Sequence, residues 1–380
     1  MTSRILDGDA MSWRTRRTGV KWGLYSPDVL PLWVAEMDAA PCPPVVEAVD
    51  AAMRRGDTGY PHGRDFVEAG TLYAARTWSW TIDPSRSFPV ADVMIGLSEL
   101  LRGVTSPGGP VVLSSPVYNA FFDFADMLGR RVVDAPLTAA GRLDPGALDQ
   151  AFAAATTGGE RAAYLLCNPQ NPTGTVHTEA ELSALAELAH RHGVIVIADE
   201  IHAPIVHQGT FTPYLTVPGG ERGVSLISAS KAWNLAGLKA ALVTVGPDAP
   251  QELLLHEVHT HGSSHLGQIA AVAAWTSGHD WLAQVTREIS DNAALLGRLL
   301  AQGAPQIGYA PPASTYLAWL DCRTLELGDD PAALLRERGR VAFSSGPTFG
   351  QTGNGFVRVN LATSPEILEE AVERMVGALA

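Results

Sequence analysis

The sequence predicts an α/β protein. A large domain over 45–270 would carry a mostly parallel central sheet flanked by helices, and 1–44 with 271–380 would form a smaller α+β domain. Three observations predict this. The strand-length apolar runs of the middle third do not alternate with polar residues, as strands covered on both faces require. Helical patterns separate those runs, the order that builds parallel sheets. Polar residues follow each run directly, where open α/β sheets place their ligands.

In chain order, residues 1 to about 44 read as irregular, with Trp13, Trp22 and Trp33 among prolines and charges. Pro44, Val45, Val46, Val49 and Met53 predict a helix that Gly56 stops, and a second helix follows from about Asp65 to Trp78. Val111–Ser114 and Ala162–Cys167 read as strands. Thr178-Glu-Ala-Glu181 has the form of a capping box, Leu182, Leu185 and Leu188 give that helix its apolar face, and Gly193 ends it. Val194–Ala198 and Val224–Ser228 are further strands. The second module shows helical patterns over about 267–302, a strand at Ser314–Asp321, a helix at Pro331–Arg338, a strand at Gly355–Leu361 and a closing helix from Pro365 to Leu379.

At 380 residues with 46% hydrophobic and 18% charged residues, the chain can bury a sizeable core, and disorder is excluded as its ground state. A net charge of −13 without basic runs excludes nucleic acid and anionic membrane as natural partners. The three cysteines (Cys42, Cys167, Cys322) are widely spaced, which fits a reducing cytoplasm rather than a disulfide scaffold. The N-terminus lacks a signal-type apolar stretch, and no membrane-length apolar run follows. There is no Gly-x-Gly-x-x-Gly after a strand, no Walker lysine and no Gly-x-Ser-x-Gly elbow. His256, His259, His261 and His265 with Glu257 are spaced irregularly for a metal site and read as a polar loop.

Four strand ends bring chemistry together: Tyr118, Asn168 with Asn171, Asp199 with His202, and Ser228 with Lys231. A lysine against an apolar wall loses basicity, and its free amine can attack a carbonyl. A carboxylate, a lysine and a tyrosine in one crevice suit pyridoxal phosphate, whose aldehyde bonds to lysine and whose ring nitrogen pairs with a carboxylate. Asn168 reads equally well as a turn asparagine before proline, and Ser230 as a residue that only positions Lys231.

The motifs Asn168-Pro-Gln-Asn-Pro-Thr-Gly174, Ala198-Asp-Glu-Ile-His202, Ser228-Ala-Ser-Lys-Ala-Trp-Asn-Leu-Ala-Gly-Leu238 and Phe356-Val-Arg-Val-Asn360 carry a family resemblance. With Leu32-Trp-Val-Ala-Glu-Met-Asp38, Gly59-Tyr60, Pro116-Val-Tyr118 and Thr315–Asp321, the chain resembles the aminotransferase class I/II family, closest to its cystathionine β-lyase-like C–S lyases. Glu36 departs from the aspartate usual in the N-terminal motif, and Ala91–Leu97 lacks the familiar small-residue pattern of the phosphate loop.

The resemblance implies the fold type I architecture and pyridoxal phosphate. It makes Lys231 the lysine bonded to the cofactor, Asp199 the partner of the ring nitrogen, and Tyr118 the stacking residue with a catalytic part. It sets Asn171 and His202 at the phenolic oxygen. It sets Ser228, Lys239, the amides near Val93 and Met94, and Tyr60 of a neighbouring subunit at the phosphate, so a homodimer is implied. Arg358 would clamp the substrate carboxylate, with Asn360 and Trp33 as further substrate-site candidates, Trp33 reading equally well as a packing residue. The activity implied is α,β-elimination from L-cystathionine or another L-cysteine S-conjugate, giving pyruvate, ammonia and a thiol. An aminotransferase, or a regulatory or binding protein that retains the fold, stays open beside it.

Overall fold

The structure is a computed structural model that describes residues 4–379. Its centre is a seven-stranded sheet in the order Ser87–Val90, Ala241–Val245, Val224–Ile227, Ile195–Asp199, Ala163–Cys167, Pro110–Leu113, Arg131–Asp134. All neighbours pair parallel except Ala241–Val245, which runs antiparallel to both of its partners. Strand residues divide between two cores by their period of two. Val111, Leu113, Leu165, Ile197 and Val243 face the helix Val93–Val104, whereas Val112, Tyr164, Leu166, Val196 and Leu242 belong to the larger core on the other face. Both faces are covered, so the central strands show no polar alternation.

After Pro110–Leu113 the chain moves outward to Arg131–Asp134, and after Ala163–Cys167 it moves the other way to Ile195–Asp199. The two strands are neighbours, so this is the switch point at which a crevice opens beyond the carboxyl ends. The expected capping box is present, with Thr178 Oγ1 accepting from Glu181 N–H and the Glu181 carboxylate accepting from Thr178 N–H. Gly193 closes that helix at φ 69°, a left-handed position that suits glycine.

A second sheet orders Ser344–Ser345, Phe356–Asn360, Leu317–Asp321 and Gly308–Tyr309, all antiparallel. The helices His279–Gly303 and Pro365–Leu379 pack together beside it. Leu30–Pro31 pairs parallel with Val341–Ala342, which draws the N-terminal stretch into this module.

Several expectations need correction. The N-terminal stretch is not wholly irregular, because Ala10–Arg16 is a helix capped by Asp9. The helical pattern over 267–302 is two helices, His265–Ser277 and His279–Gly303, broken at Gly278. A side chain at Gly278 would meet Trp233 Nε1 at 2.5 Å, and that indole N–H bonds the glycine carbonyl. The strand expected from Ser314 starts at Leu317, since Thr315 sits at φ 67°.

A buried ion pair fixes the N-terminal stretch. Lys21 Nζ reaches Asp38 Oδ2 at 2.8 Å, while Trp22 Nε1 and Thr363 Oγ1 donate to the same carboxylate at 2.7 and 2.8 Å. Removing one partner strands a buried charge. Asp38→Ala should therefore lower unfolding free energy by about 3–5 kcal/mol in urea titration. An effect below about 1 kcal/mol, the range of exposed pairs, would contradict this assignment.

Candidate active site

A cleft of about 480 Å³ opens at the switch point between the two sheets. Four of the strand-end side chains reach it together: Tyr118, Asn171, Asp199 and Lys231, joined by His202 on the turn after Asp199. The second module contributes Arg358, from the strand Phe356–Asn360. The N-terminal loop contributes Trp33.

Asp199 ends the central strand Ile195–Asp199 and is 4% exposed. Its Oδ1 accepts one hydrogen bond, from Ile201 N–H at 3.1 Å, and no cation bonds it among the described residues. Burial pushes its carboxyl up to about 6, against the lowering pull of the Ile201 N–H and then of the Lys231 charge. Lys231 stands on the loop after Val224–Ile227, and its Nζ donates to Ala35 O at 3.0 Å. Burial, then the nearby Arg358 guanidinium, lower its ammonium to about 8. Tyr118 is raised to about 12 by burial and by the Asp199 charge, so its phenol keeps its proton. His202 is driven well below its ordinary value by burial and by the Lys231 and Arg358 charges, and its Nδ1 has no partner.

Arg358 is held from three sides, by Asn171 Oδ1, Trp33 O and Ser344 Oγ, each at 3.0 Å. Its guanidinium lies 4.8 Å from the centre of the Phe349 ring, and its Nε is unpartnered. Burial lowers it to about 10.

At the other end of the cleft, the helix Val93–Val104 presents its first residues, Val93 and Met94. Asp92 caps this helix through Ile95 N–H and pairs with Lys239 Nζ at 2.7 Å. Gly96 lets the helix lie on the sheet, since a Cβ there would meet Val90 at 2.8 Å and Leu226 at 3.0 Å.

Three expected residues do not line the cleft. The Ser228 hydroxyl is turned away, donating to Ala240 O at 2.6 Å and accepting from Ser230 N–H, and Ser230 lines the cleft in its place. Asn360 spends its amide on Val34 O and Glu36 O, holding the loop that carries Trp33. Tyr60 is 92% exposed, outside this chain's own cleft. Asn168 acts in the turn, donating to Glu200 Oε1 and Thr212 O. Glu200, which stands in a quoted motif but was given no role there, is a buried carboxyl pushed by burial up to about 7 and bonded to Asn168, Tyr214 N–H and Ser225. Tyr25, Asp330, Arg336 and Phe349 also line the cleft and carried no motif.

Of the histidine group, His265 bonds Asp57 at 2.8 Å and His259 faces Glu99 at 3.6 Å, while the Glu257 side chain lies outside the described residues. Among the described residues, no three His, Cys, Asp or Glu side chains gather in a way that would hold a metal.

A mostly parallel sheet whose strand ends deliver a buried carboxylate and a low-basicity lysine to one cleft, with a clamped arginine added from the second sheet, defines a fold type I enzyme. The chain belongs to the aminotransferase class I and II family, whose family model matches residues 27–375. It is 48% identical to a Mycobacterium tuberculosis protein provisionally named cystathionine beta-lyase, covering 96% of each chain. It is 33% identical to the cystathionine beta-lyase of Corynebacterium glutamicum, over 96% of this chain and 98% of that one. A Corynebacterium diphtheriae structure, provisionally described as a PLP-dependent beta-cystathionase, superposes with a TM-score of 0.91, 34% identity and 99% of both chains.

The Asp199 carboxyl carries a stability consequence. Its folded pKa lies above the unfolded value, so its contribution is present below about pH 4 and is lost as pH rises through about 6. Cofactor-free Asp199→Asn protein should therefore exceed wild type in stability by about 2–3 kcal/mol at pH 8, with the gap closing towards pH 4. Thermal melts across that range check it; a gap that stays constant with pH contradicts the cause.

Proposed function

We propose that the chain is a pyridoxal-phosphate-dependent C–S β-lyase. It would cleave L-cystathionine or another L-cysteine S-conjugate to pyruvate, ammonia and a thiol. The observation that carries this reading is the Asp199 carboxylate, buried with one backbone donor and no bonded cation, in one cleft with a lysine of lowered basicity. A protonated pyridine nitrogen is the cation such a carboxylate lacks, so the residues fit the group. His202 Nδ1 and Asn171 suit its phenolic oxygen, Tyr118 its ring face, and Lys239, Ser230 and the helix amides at Val93 and Met94 its phosphate. Asp92 opposes an anion at that end, and its bond to Lys239 offsets the opposition.

Bound there, the cofactor supplies an electron sink for the bond electrons freed at the substrate α-carbon. Arg358, already oriented by Asn171, Trp33 and Ser344, takes the α-carboxylate in a two-pronged grip. Lys231 Nζ removes the α-proton, and a pKa near 8 leaves a usable fraction as free amine at neutral pH. The β-carbon–sulfur bond then breaks with its electron pair on sulfur, and the thiolate takes up a proton. Water replaces the nitrogen on the remaining three-carbon fragment, giving pyruvate and ammonia. Tyr118, which holds its proton to about pH 12, is a donor at the leaving sulfur. The names of relatives 33–48% identical across nearly the whole chain support lyase over transaminase.

Tyr60, almost wholly exposed here, suits the phosphate end of a second copy's cleft, and we assign a homodimer on that ground. Three free, buried cysteines support a cytoplasmic setting. Among the described residues no helix is long and apolar enough to cross a membrane.

Cofactor-loaded protein incubated with L-cystathionine should release pyruvate and free thiol in equal amounts. Arg358→Lys should lower kcat/KM by about 100-fold, since one ammonium cannot reproduce the planar fork. Keto acid without thiol release would favour an aminotransferase; cofactor binding with neither product would favour a binding role.

A further inference from the structure

The amine that removes the α-proton rests on one backbone carbonyl. Ala35 O accepts from Lys231 Nζ and from the Tyr316 hydroxyl, each at 3.0 Å. Every carbonyl from Trp33 to Met37 accepts from a side chain, but the others take theirs from Arg358, Ser344, Asn360, Lys21 and Asn234. Among the described residues, Ala35 O alone holds the base. Tyr316 is buried just ahead of the strand Leu317–Asp321 and does not line the cleft. Its ring meets His202 edge-on at 5.9 Å, and its carbonyl accepts from Leu361 N–H at 2.7 Å, so the phenol is fixed by the second module. Burial above all raises that phenol beyond the ordinary tyrosine range, so it stays a donor throughout the neutral and mildly alkaline range.

A buried tyrosine hydroxyl needs an acceptor, and for packing alone any carbonyl would serve. The choice of this carbonyl has a consequence for Lys231. An oxygen that already accepts one hydrogen bond has less charge to offer a second donor, and the positive end of the O–H dipole faces the ammonium held on the same atom. Both effects disfavour the charged lysine. We infer that Tyr316 is a positioning residue for proton abstraction, which shares the Ala35 carbonyl with Lys231, fixes the amine there and weakens that carbonyl's hold on the lysine proton. Tyr316 lies behind the cleft wall and acts through Ala35. This rests on Lys231 as the base of the lyase and deepens that reading, since it gives the freed amine a fixed seat. The charges facing Lys231 are Arg358 from the second sheet, Asp199 from the central strand, Glu36 from the N-terminal loop and Lys239 from its own segment. Removing a neutral hydroxyl changes none of them.

Two readouts test the inference. Lysine labelled with 13C at Cε gives three signals, from Lys21, Lys231 and Lys239, and that of Lys231 is assigned by its loss in Lys231→Arg. In the cofactor-free full chain the Lys231 signal should titrate near 8. In Tyr316→Phe it should titrate about 0.5–1 pH unit higher, the change expected from one neutral hydrogen bond. Phenylalanine keeps the ring against His202, and an unmoved signal from Lys21, whose ammonium is bonded to Asp38, shows that the loop stays in place. Tyr316→Met, which removes hydroxyl and ring together, should move Lys231 the same way. In the cofactor-loaded enzyme, kcat for pyruvate release from L-cystathionine should fall about three- to tenfold at pH 7 in Tyr316→Phe, and return to within about twofold of wild type at pH 9. A Lys231 signal that titrates at one pH in wild type and both variants, or a kcat loss equal at the two pH values, would overturn the assignment. Wild-type enzyme that releases no thiol would bring down the lyase reading instead, while the lysine titration still decides the part played by Tyr316.

Discussion

The arrangement depends on one uncompensated charge, the carboxylate at the end of the central strand. A carboxylate taken out of water without a cation is disfavoured, and Asp199 has only the Ile201 amide to soften that cost. It persists because its backbone belongs to the middle of a seven-stranded sheet, with Asn168 N–H bonding its carbonyl and Leu226 beside it in register. Rigid pairing on both sides leaves the side chain no retreat from the cleft. Lys231 faces the complementary problem, a buried amine whose proton is only partly stabilised by Asp199. Each group is made reactive by the environment that makes it costly.

The second constraint is the loop Trp33–Asp38, where both modules meet the chemistry. Ala35 O accepts from Lys231 Nζ and from the Tyr316 hydroxyl, each at 3.0 Å. Asn234 clasps Met37 through its N–H and its carbonyl, each at 2.9 Å, from the same segment that carries Lys231. Asn360 holds Val34 and Glu36, and Asp38 is locked to Lys21. Arg358 bonds the Trp33 carbonyl. The relative placement of lysine, arginine and aspartate thus passes through one short stretch of backbone. The chain has only three lysines; one secures this stretch and the other two line the cleft.

Much of this was legible in the sequence where local chemistry decides structure. The strands Ala163–Cys167, Ile195–Asp199 and Val224–Ile227 are apolar throughout and declare themselves, as does the capped helix Glu179–His192. Strands at or near the sheet edges did not. Ser87–Val90 contains a proline, and Arg131–Asp134 begins and ends with exposed charges, so neither reads in the sequence as an uninterrupted apolar run. Motifs brought Lys231, Asp199, Asn171 and Arg358 into one list, and the fold brings them into one cleft. Motifs did not separate Ser228 from Ser230, because that choice is made by the carbonyl of Ala240, twelve residues on. Asn360 looked like a ligand for the same reason: only the fold reveals the loop carbonyls that occupy it. Asp330 and Arg336 had no motif at all, and only the docking of their helix brings them to the cleft.

The most direct test of the central claim is the ionisation of Asp199 itself. Carboxyl 13C chemical shifts of aspartate-labelled protein, with the signal assigned by its loss in Asp199→Asn, would be followed across pH with and without pyridoxal phosphate. The account requires a titration near 6 in the free protein that moves clearly downward when the ring nitrogen pairs with the carboxylate. A signal that titrates at the ordinary aspartate value near 4 in both forms would contradict it.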